Sequence, residues 1–246
     1  MKNIVSWSGG KDSTFMLHEM IRRGEHIDEV VCCDTTIEFP DMYIHQQKVV
    51  TNLSEHNIPF TFIKPEHDFE YYMYDYEKKR GSNAGSKGMG WSNPNYIWCR
   101  RFLKLGPINE YLNKKYGAGN YITNIGIAFD EIGRYEFDFM NCKKRYPLIE
   151  WKITELESIK GCHDLRYDWN GLYNRFYRVS CFCCPLQSIK ELYMLYSFYP
   201  DLWQKLIDYD SRQTNRFRKD YTLQELEKRF SDLESCRDLM IEHYDN

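Results

Sequence analysis

The stretch Ser6-Trp7-Ser8-Gly9-Gly10-Lys11-Asp12-Ser13-Thr14 has the residue types needed to hold a phosphate chain. It follows the apolar run Ile4-Val5 and opens a helical pattern. Glycines let the backbone turn tightly and bring its N–H groups to an anion. The helix N-terminus adds partial positive charge, and Lys11 adds a full one. The pattern is not a Walker A loop, which needs a glycine where Val5 stands and a Ser or Thr where Asp12 stands. The alternative is a glycine turn without a ligand.

The second chemical feature is Ser180-Cys181-Phe182-Cys183-Cys184-Pro185, whose Cys181 and Cys184 form a C-x-x-C pair. Thiolates at that spacing can share one metal ion. Cys99, beside Arg100 and Arg101, and Cys162, after Gly161 at a helix end, are the candidates to complete the set. Zinc and fully reduced structural thiols are the competing explanations. Cys32 and Cys33 fall in a strand pattern and read as buried core. Cys236 lies within a helical pattern and reads as a packed or surface thiol, and Cys142 has no assignment.

These residues need a scaffold, and the first two thirds of the chain alternate strand and helix signals. Asn3–Trp7, Glu29–Asp34, Pro59–Ile63 and Tyr121–Ala128 read as strands. Asp12–Arg23, closed by Gly24, and Asp41–His56, with Met42, Val49, Val50 and Leu53 on one face, read as helices. Pro107 can open a helix running to Tyr116. Such alternation predicts a parallel sheet with helical crossovers. Residues 79–96, rich in Gly, Ser and Asn, read as a mobile lid.

Beyond Trp151 helices dominate, with capping boxes at Ser188–Glu191 and Thr222–Glu225. Leu226, Phe230, Leu233 and Met240 form an apolar stripe expected to pack. The expected organisation is a nucleotide-binding α/β domain over 1–150 and a helical region carrying the Cys-x-x-Cys over 151–246.

Hydrophobic content of 42% with 28% charged residues excludes a disordered chain, and no apolar run approaches a membrane span. The N-terminus lacks a signal-peptide pattern, so the expected location is the cytoplasm, where nine cysteines are not a disulfide framework. The net charge of −3 is unevenly spread. Lys78, Lys79, Arg80, Lys87, Arg100, Arg101, Lys104, Lys114 and Lys115 face only Glu110 across 78–115. A local basic segment in a mildly acidic chain points to a polyanionic ligand, against the plainer reading of a solvated face.

Ser-Gly-Gly-Lys-Asp-Ser resembles the PP-loop of the ATP pyrophosphatases. Four further stretches resemble one branch, the phosphoadenosine phosphosulfate reductase family: Asp34-Thr-Thr-Ile-Glu-Phe-Pro, Cys99-Arg-Arg-Phe-Leu-Lys-Leu-Gly-Pro-Ile, Gly126-Ile-Ala-Phe-Asp-Glu-Ile-Gly-Arg134 and Tyr146-Pro-Leu-Ile-Glu-Trp. The resemblance implies a doubly wound, mostly parallel five-stranded α/β sheet, Rossmann-like and of PP-loop type, with a helical C-terminal extension. Thr36 and Ala128 stand where the family has Gly and Arg, and Arg134 is the candidate to replace the lost charge. The reductases proper have a degenerate first loop and a Glu-Cys-Gly-x-His stretch. Here the loop is complete and that stretch does not occur.

What the resemblance implies for function is an enzyme that adenylates an acceptor and transfers sulfur. Ser8, Gly9, Gly10, Lys11, Asp12 and Ser13 would hold ATP (or a sulfonucleotide) with Mg²⁺. Asp34, Gly126, Asp130 and Arg134 would add nucleotide contacts, with Lys11, Asp12 and Arg100 catalytic. Iron–sulfur members of the branch pair a cysteine before the Arg-x-Leu-Lys segment with a later C-x-x-C. A [4Fe–4S] cluster on Cys99, Cys162, Cys181 and Cys184 is therefore expected, with zinc as the alternative. The four sulfurs should lie within about 7 Å around a cubane, or about 4 Å around zinc. Phosphoadenylyl or adenylyl sulfate reduction and a non-catalytic nucleotide-binding regulator are the other functions weighed. A nucleic-acid acceptor, DNA or tRNA, and a homodimer are open expectations, and no membrane partner is expected.

Overall fold

The computed structural model describes residues 1–81, 83–134, 143–179, 181–213 and 215–244, with the backbone alone for 132–134 and 236–244. Strand β1 (Lys2–Ser6) leads into helix α1 (Lys11–Arg22), β2 (Glu29–Cys33) into α2 (Pro40–Glu55), and β3 (Phe60–Ile63) follows. Helical segments α3 (Trp98–Arg100), a π-helical turn Arg101–Leu105 and α4 (Gly106–Tyr116) precede β4 (Tyr121–Ile125) and β5 (Lys143–Arg145). Five strands form one all-parallel sheet in the order β3-β2-β1-β4-β5. Ile4, Val5, Val30 and Val31 are fully buried, as a parallel sheet covered on both faces requires.

Chain order reverses direction across the sheet between β1 and β4. The crevice outside the carboxyl ends of strands at such a switch point is where doubly wound sheets bind ligands. Strand β5 was not legible in the sequence. It is three residues long, lies at the sheet edge and reads Lys-Lys-Arg, so hydrophobic patterning cannot reveal it.

The helices α5 (Pro147–Glu150), α6 (Glu155–Asp164), α7 (Leu172–Arg175), α8 (Ile189–Phe198), α9 (Pro200–Ser211) and α10 (Leu223–Tyr244) complete the fold. Gly161 lets α6 close onto α1, since a Cβ there would lie 2.0 Å from Cε2 of Phe15. Both predicted capping boxes form, and Thr154 with Glu157 makes a third. One buried cluster runs from Val5 in β1 to Phe230 in α10, so the helical region shares the core of the sheet.

Two expectations need correction. Leu226 and Phe230 pack, but Leu233 is 51% exposed, so the stripe ends at Phe230; Met240 has no described side chain. The lid reading does not hold for Gly88 to Ser92, a strap buried but for the half-buried Met89. Gly88 and Gly90 donate to the carbonyls of Tyr76 and Met73, and the indole of Trp91 donates to Asp210 at 2.7 Å. A Cβ at Gly88 would lie 2.6 Å from the Met73 carbonyl oxygen, so these glycines serve close packing rather than mobility.

Candidate active site at the first strand–helix junction

Residues 8–13 form the turn from β1 into α1. Gly9 has φ +82°, and a Cβ there would meet Cε of Met42 at 2.8 Å. The Ser8 and Ser13 hydroxyls lie 3.0 Å apart, and Ser13 donates to the carbonyl of Gly10, so the two serines close the turn on itself. Gly10 precedes α1 without a side-chain cap, which leaves the first turn's N–H groups to other partners.

One such partner, and two donors to the loop's carbonyls, come from the helical region. The N–H of Lys11 donates to the Tyr173 hydroxyl at 2.8 Å, and the indole of Trp169 donates to the carbonyl of Gly9 at 2.8 Å. The thiol of Cys162 donates to the carbonyl of Lys11 at 3.3 Å. From inside, the indole of Trp7 donates to Thr14, whose hydroxyl lies 3.2 Å from Nε2 of the buried His45.

The Lys11 ammonium lies 2.9 Å from Asp12 and 2.5 Å from Glu155. Burial alone would lower its pKa, but the two carboxylates outweigh it and hold the ammonium above its ordinary value. Burial raises the pKa of Asp12, with Lys11 opposing in part. Oxygens of Asp12, Glu131 and Glu155 lie within 4.8 Å of one another, and Oδ1 of Asp12 is buried without a hydrogen-bond partner. This oxygen set suits the divalent cation that accompanies a phosphate chain.

At the end of β4, Gly126 presses against the loop. A Cβ there would lie 2.6 Å from both N and Cα of Ser13, so its role is to let β4 pass beneath the first turn of α1. Asp34, at the end of β2, accepts from the Thr36 N–H at 2.9 Å and the Tyr43 hydroxyl at 3.0 Å. Asp130 accepts from the N–H of Glu155 and so holds the start of α6. The side chain of Arg134 lies outside the described residues.

A second centre lies beyond β2. Cys99, Cys181, Cys183 and Cys184 line one small apolar pocket, walled by Phe69 and Trp91. The Cys-x-x-C strand-like turn is tied to the loop after β2: Cys181 bridges Glu38, and the Phe182 N–H donates to the carbonyl of Ile37 at 3.1 Å. Burial and then Cys181 raise the pKa of Cys99. A hydrogen bond with Cys181 and burial raise that of Cys184. Lys104 pairs with the buried carboxylate of Glu38 at 3.3 Å.

The four-cysteine set must be corrected. Cys162 is fully buried on α6, where it packs against the first turn of α1 and bonds to Lys11, apart from the pocket. The remaining three, Cys99, Cys181 and Cys184, come together, with Cys183 buried beside them. Arg100 is exposed next to Cys99, and its charge acts on Lys144. Cys32 and Cys33 are buried as expected, and Cys142 and the Cys236 side chain lie outside the described residues.

The sequence model of the phosphoadenosine phosphosulfate reductase domain matches residues 2–187, a span that takes in the loop, Asp34, Cys99 and the C-x-x-C pair. The chain belongs to this family.

Within the family's Asp-Thr-Gly stretch, Thr36 keeps the left-handed backbone (φ +65°) that the missing glycine would adopt freely. The chain is 27% and 26% identical to two uncharacterized proteins of Methanocaldococcus jannaschii, over 83% and 82% of its length. It is 30% identical to an uncharacterized nin region protein of Escherichia phage lambda over 53% of its length. It spans 46%, 40% and 49% of these relatives, so roughly half or less of each. Among solved structures, the phosphoadenylyl-sulfate reductase of Candida auris, in a phosphate complex, gives a TM-score of 0.45 at 13% identity, covering 74% of this chain and 82% of that one. The U34-tRNA thiolase of Methanococcus maripaludis, with its [4Fe–4S] cluster, gives 0.44 at 14%, covering 86% and 71%. No described helix is long and apolar enough to cross a membrane.

Sequence reasoning missed Glu131, Glu155, Trp169 and Tyr173 around the loop and Glu38 beside the thiols. Glu38 and Glu131 stand inside two of the stretches quoted above but were given no role there, whereas Glu155, Trp169 and Tyr173 reach the loop from distant elements and stand in no motif. The one signal was Asp168-Trp169-Asn170-Gly171, a turn sequence with a large aromatic at its centre.

Proposed function

We propose that this protein is an ATP-dependent enzyme that adenylates an acceptor and transfers sulfur to it, with an iron–sulfur cluster held by Cys99, Cys181 and Cys184. The observation that carries the reading is the joint placement of a complete Ser-Gly-Gly-Lys-Asp-Ser turn after β1 and three thiols against the loop after β2. Both lie at the carboxyl ends of neighbouring parallel strands.

The thiols fit a cluster chemically. Burial raises the pKa of Cys99, and a hydrogen bond with Cys181 and burial raise that of Cys184, a cost that a metal centre removes by holding thiolates. The described ligand atoms gathered within 4.8 Å are carboxylates, not these sulfurs. Zinc, tetrahedral with bonds of about 2.3 Å to thiolates, is the competing occupant of the same three thiols. When bound, such a cluster supplies Lewis-acidic iron for sulfur or an electron store.

In the adenylation step an acceptor oxygen attacks the α-phosphorus of ATP. The new P–O bond forms as the bond to the β-phosphate breaks, and pyrophosphate leaves. Lys11 and the loop N–H groups stabilise the charge that builds on the leaving group, and Asp12, Glu131 and Glu155 would hold a divalent cation that offsets it. Sulfur at the sulfide level then displaces AMP from the activated carbon.

The test is pyrophosphate release from ATP under anaerobic conditions, alongside sulfite release from phosphoadenylyl sulfate. The reading predicts pyrophosphate, and a loss of at least about 100-fold in Lys11→Ala, the scale of removing a main electrostatic stabiliser. Sulfite without pyrophosphate would make the protein a sulfonucleotide reductase instead. Tight ATP binding with neither product would make it a regulator.

A further inference from the structure

The Tyr173 hydroxyl stands at the N-terminal end of α1, where an anion would bind. It accepts the N–H of Lys11 at 2.8 Å, one of the first-turn donors that α1 cannot satisfy by itself. A Cβ at Gly10 would lie 3.3 Å from this hydroxyl and 3.6 Å from Oγ of Ser8, so the glycine keeps open a space bordered by two hydroxyls. The Lys11 ammonium lies 5.9 Å from the centroid of the Tyr173 ring.

The phenol has a proton left over. A tyrosine hydroxyl can accept and donate, and accepting from Lys11 leaves the donor free. Among the described residues, none accepts that proton. Burial holds the Tyr173 pKa above its ordinary value, so the proton is kept at neutral pH. The Ser8 and Ser13 hydroxyls, by contrast, bond to each other, and Ser13 donates to Gly10.

Its position is imposed from behind. Asp168 accepts from the Asn170 N–H at 3.2 Å, and the Asn170 amide donates to Asp41 of α2 at 2.9 Å. The Trp169 ring, edge-on to that of Tyr173 with centroids 4.9 Å apart, is tied to the Gly9 carbonyl. Trp169 and Asn170 both have φ +50°, a left-handed backbone that non-glycine residues keep where neighbouring contacts impose it. Leu172, the preceding residue, is fully buried. The phenol is therefore a fixed part of the rim of the loop, not a side chain that swings away when an anion arrives.

We infer that Tyr173 is a substrate-binding residue whose hydroxyl donates to the pyrophosphate portion of the nucleotide while still accepting from Lys11. The inference rests on the loop being the phosphate site, as in the proposed function. The chain from Lys11 N–H through Tyr173 O–H to a phosphate oxygen passes the pull of the helix N-terminus to the anion, since successive hydrogen bonds polarise one another. Helix α7 of the C-terminal region thereby supplies a donor to the nucleotide site.

The experiment is calorimetric titration of the full chain with inorganic pyrophosphate, ATP and AMP, each with magnesium, comparing the native protein with Tyr173→Phe. The variant keeps the ring, and with it the cover over the Lys11 N–H, so the phosphate gains no new donor there. Pyrophosphate and ATP should bind at least about tenfold more weakly, the scale of one hydrogen bond to a charged group, whereas AMP should change less than about twofold. Lys11→Ala in the same titrations tests the loop itself and should remove pyrophosphate binding. Unchanged pyrophosphate affinity in Tyr173→Phe, beside a loss in Lys11→Ala, would overturn the role of Tyr173 and leave the loop reading standing. Tighter binding in Tyr173→Phe would make the phenol a plug that the anion displaces, and equal losses for pyrophosphate and AMP would make it a packing residue; either result overturns the inference. A native chain that binds neither ATP nor pyrophosphate would remove both readings.

Discussion

The Lys11 ammonium donates to Oε1 of Glu155, 144 positions later in the chain, at 2.5 Å. The cation proposed to meet a phosphate is therefore held by a carboxylate from the start of α6. Binding replaces that partner, and the negative charge of Glu155 opposes the incoming anion. Without magnesium, Glu155→Gln should tighten ATP about tenfold, or ~1.4 kcal/mol, by calorimetric titration in EDTA. With magnesium the gain should shrink, since Glu155 then contributes an oxygen to the cation. Weaker binding in EDTA would contradict this account of Lys11.

Gly126 fixes the distance between β4 and the loop. In Gly126→Ala the new methyl would meet the Ser13 backbone at 2.6 Å, and backbone cannot rotate aside as a side chain can. The expected cost is about 1–3 kcal/mol of stability from overpacking, together with weaker nucleotide binding. Urea unfolding and ATP titration of the same variant check both. A variant with native affinity would show that the loop does not depend on this contact.

Thr36 is β-branched yet adopts φ +65°. Its N–H still caps Asp34, which the Tyr43 hydroxyl also holds. Thr36→Gly relieves a left-handed strain of about 1–2 kcal/mol and pays back part of it through a more flexible unfolded chain. A net gain of up to about 1 kcal/mol is expected in the urea midpoint, with nucleotide affinity kept.

His45 is buried between Trp7 and Trp169, with ring centroids 5.8 and 4.4 Å away. Burial, then Lys48 and neighbouring His18, push its pKa down to about 3 from an ordinary 6.5. Burial and then His56 push His18 down to about 4. The folded protein thus binds fewer protons than the unfolded chain between these values and 6.5. Stability is full above pH 6.5 and falls as the solution is acidified, by up to about 1.4 kcal/mol per pH unit for each histidine. Denaturation at pH 7.5 and pH 5 should show this loss, and His45→Gln should reduce the difference by about 2 kcal/mol. An unchanged difference would show that His45 titrates freely.

Local chemistry was legible where one segment carried it. The β1–loop–α1 unit, the C-x-x-C pair and both capping boxes stand in single stretches whose spacing has a direct physical meaning. The partners of the loop were not legible. Glu155, Trp169 and Tyr173 reach it from helices more than a hundred positions away, and no local pattern records such contacts. Cys162 shows the converse error: a buried thiol at a helix end looks like a ligand in sequence, yet it packs against Lys11. Gly88 and Gly90 read as loop residues because glycine serves mobility and tight packing alike, and only neighbours tell the two apart.

The most direct test of the central claim is iron and acid-labile sulfide analysis of protein purified anaerobically. The native chain and Cys162→Ala should each carry about four irons and four sulfides, with the broad visible absorption of a cluster, whereas Cys99→Ala, Cys181→Ala and Cys184→Ala should lose them. One zinc per chain, or a cluster lost in Cys162→Ala and kept in Cys181→Ala, would contradict the assignment.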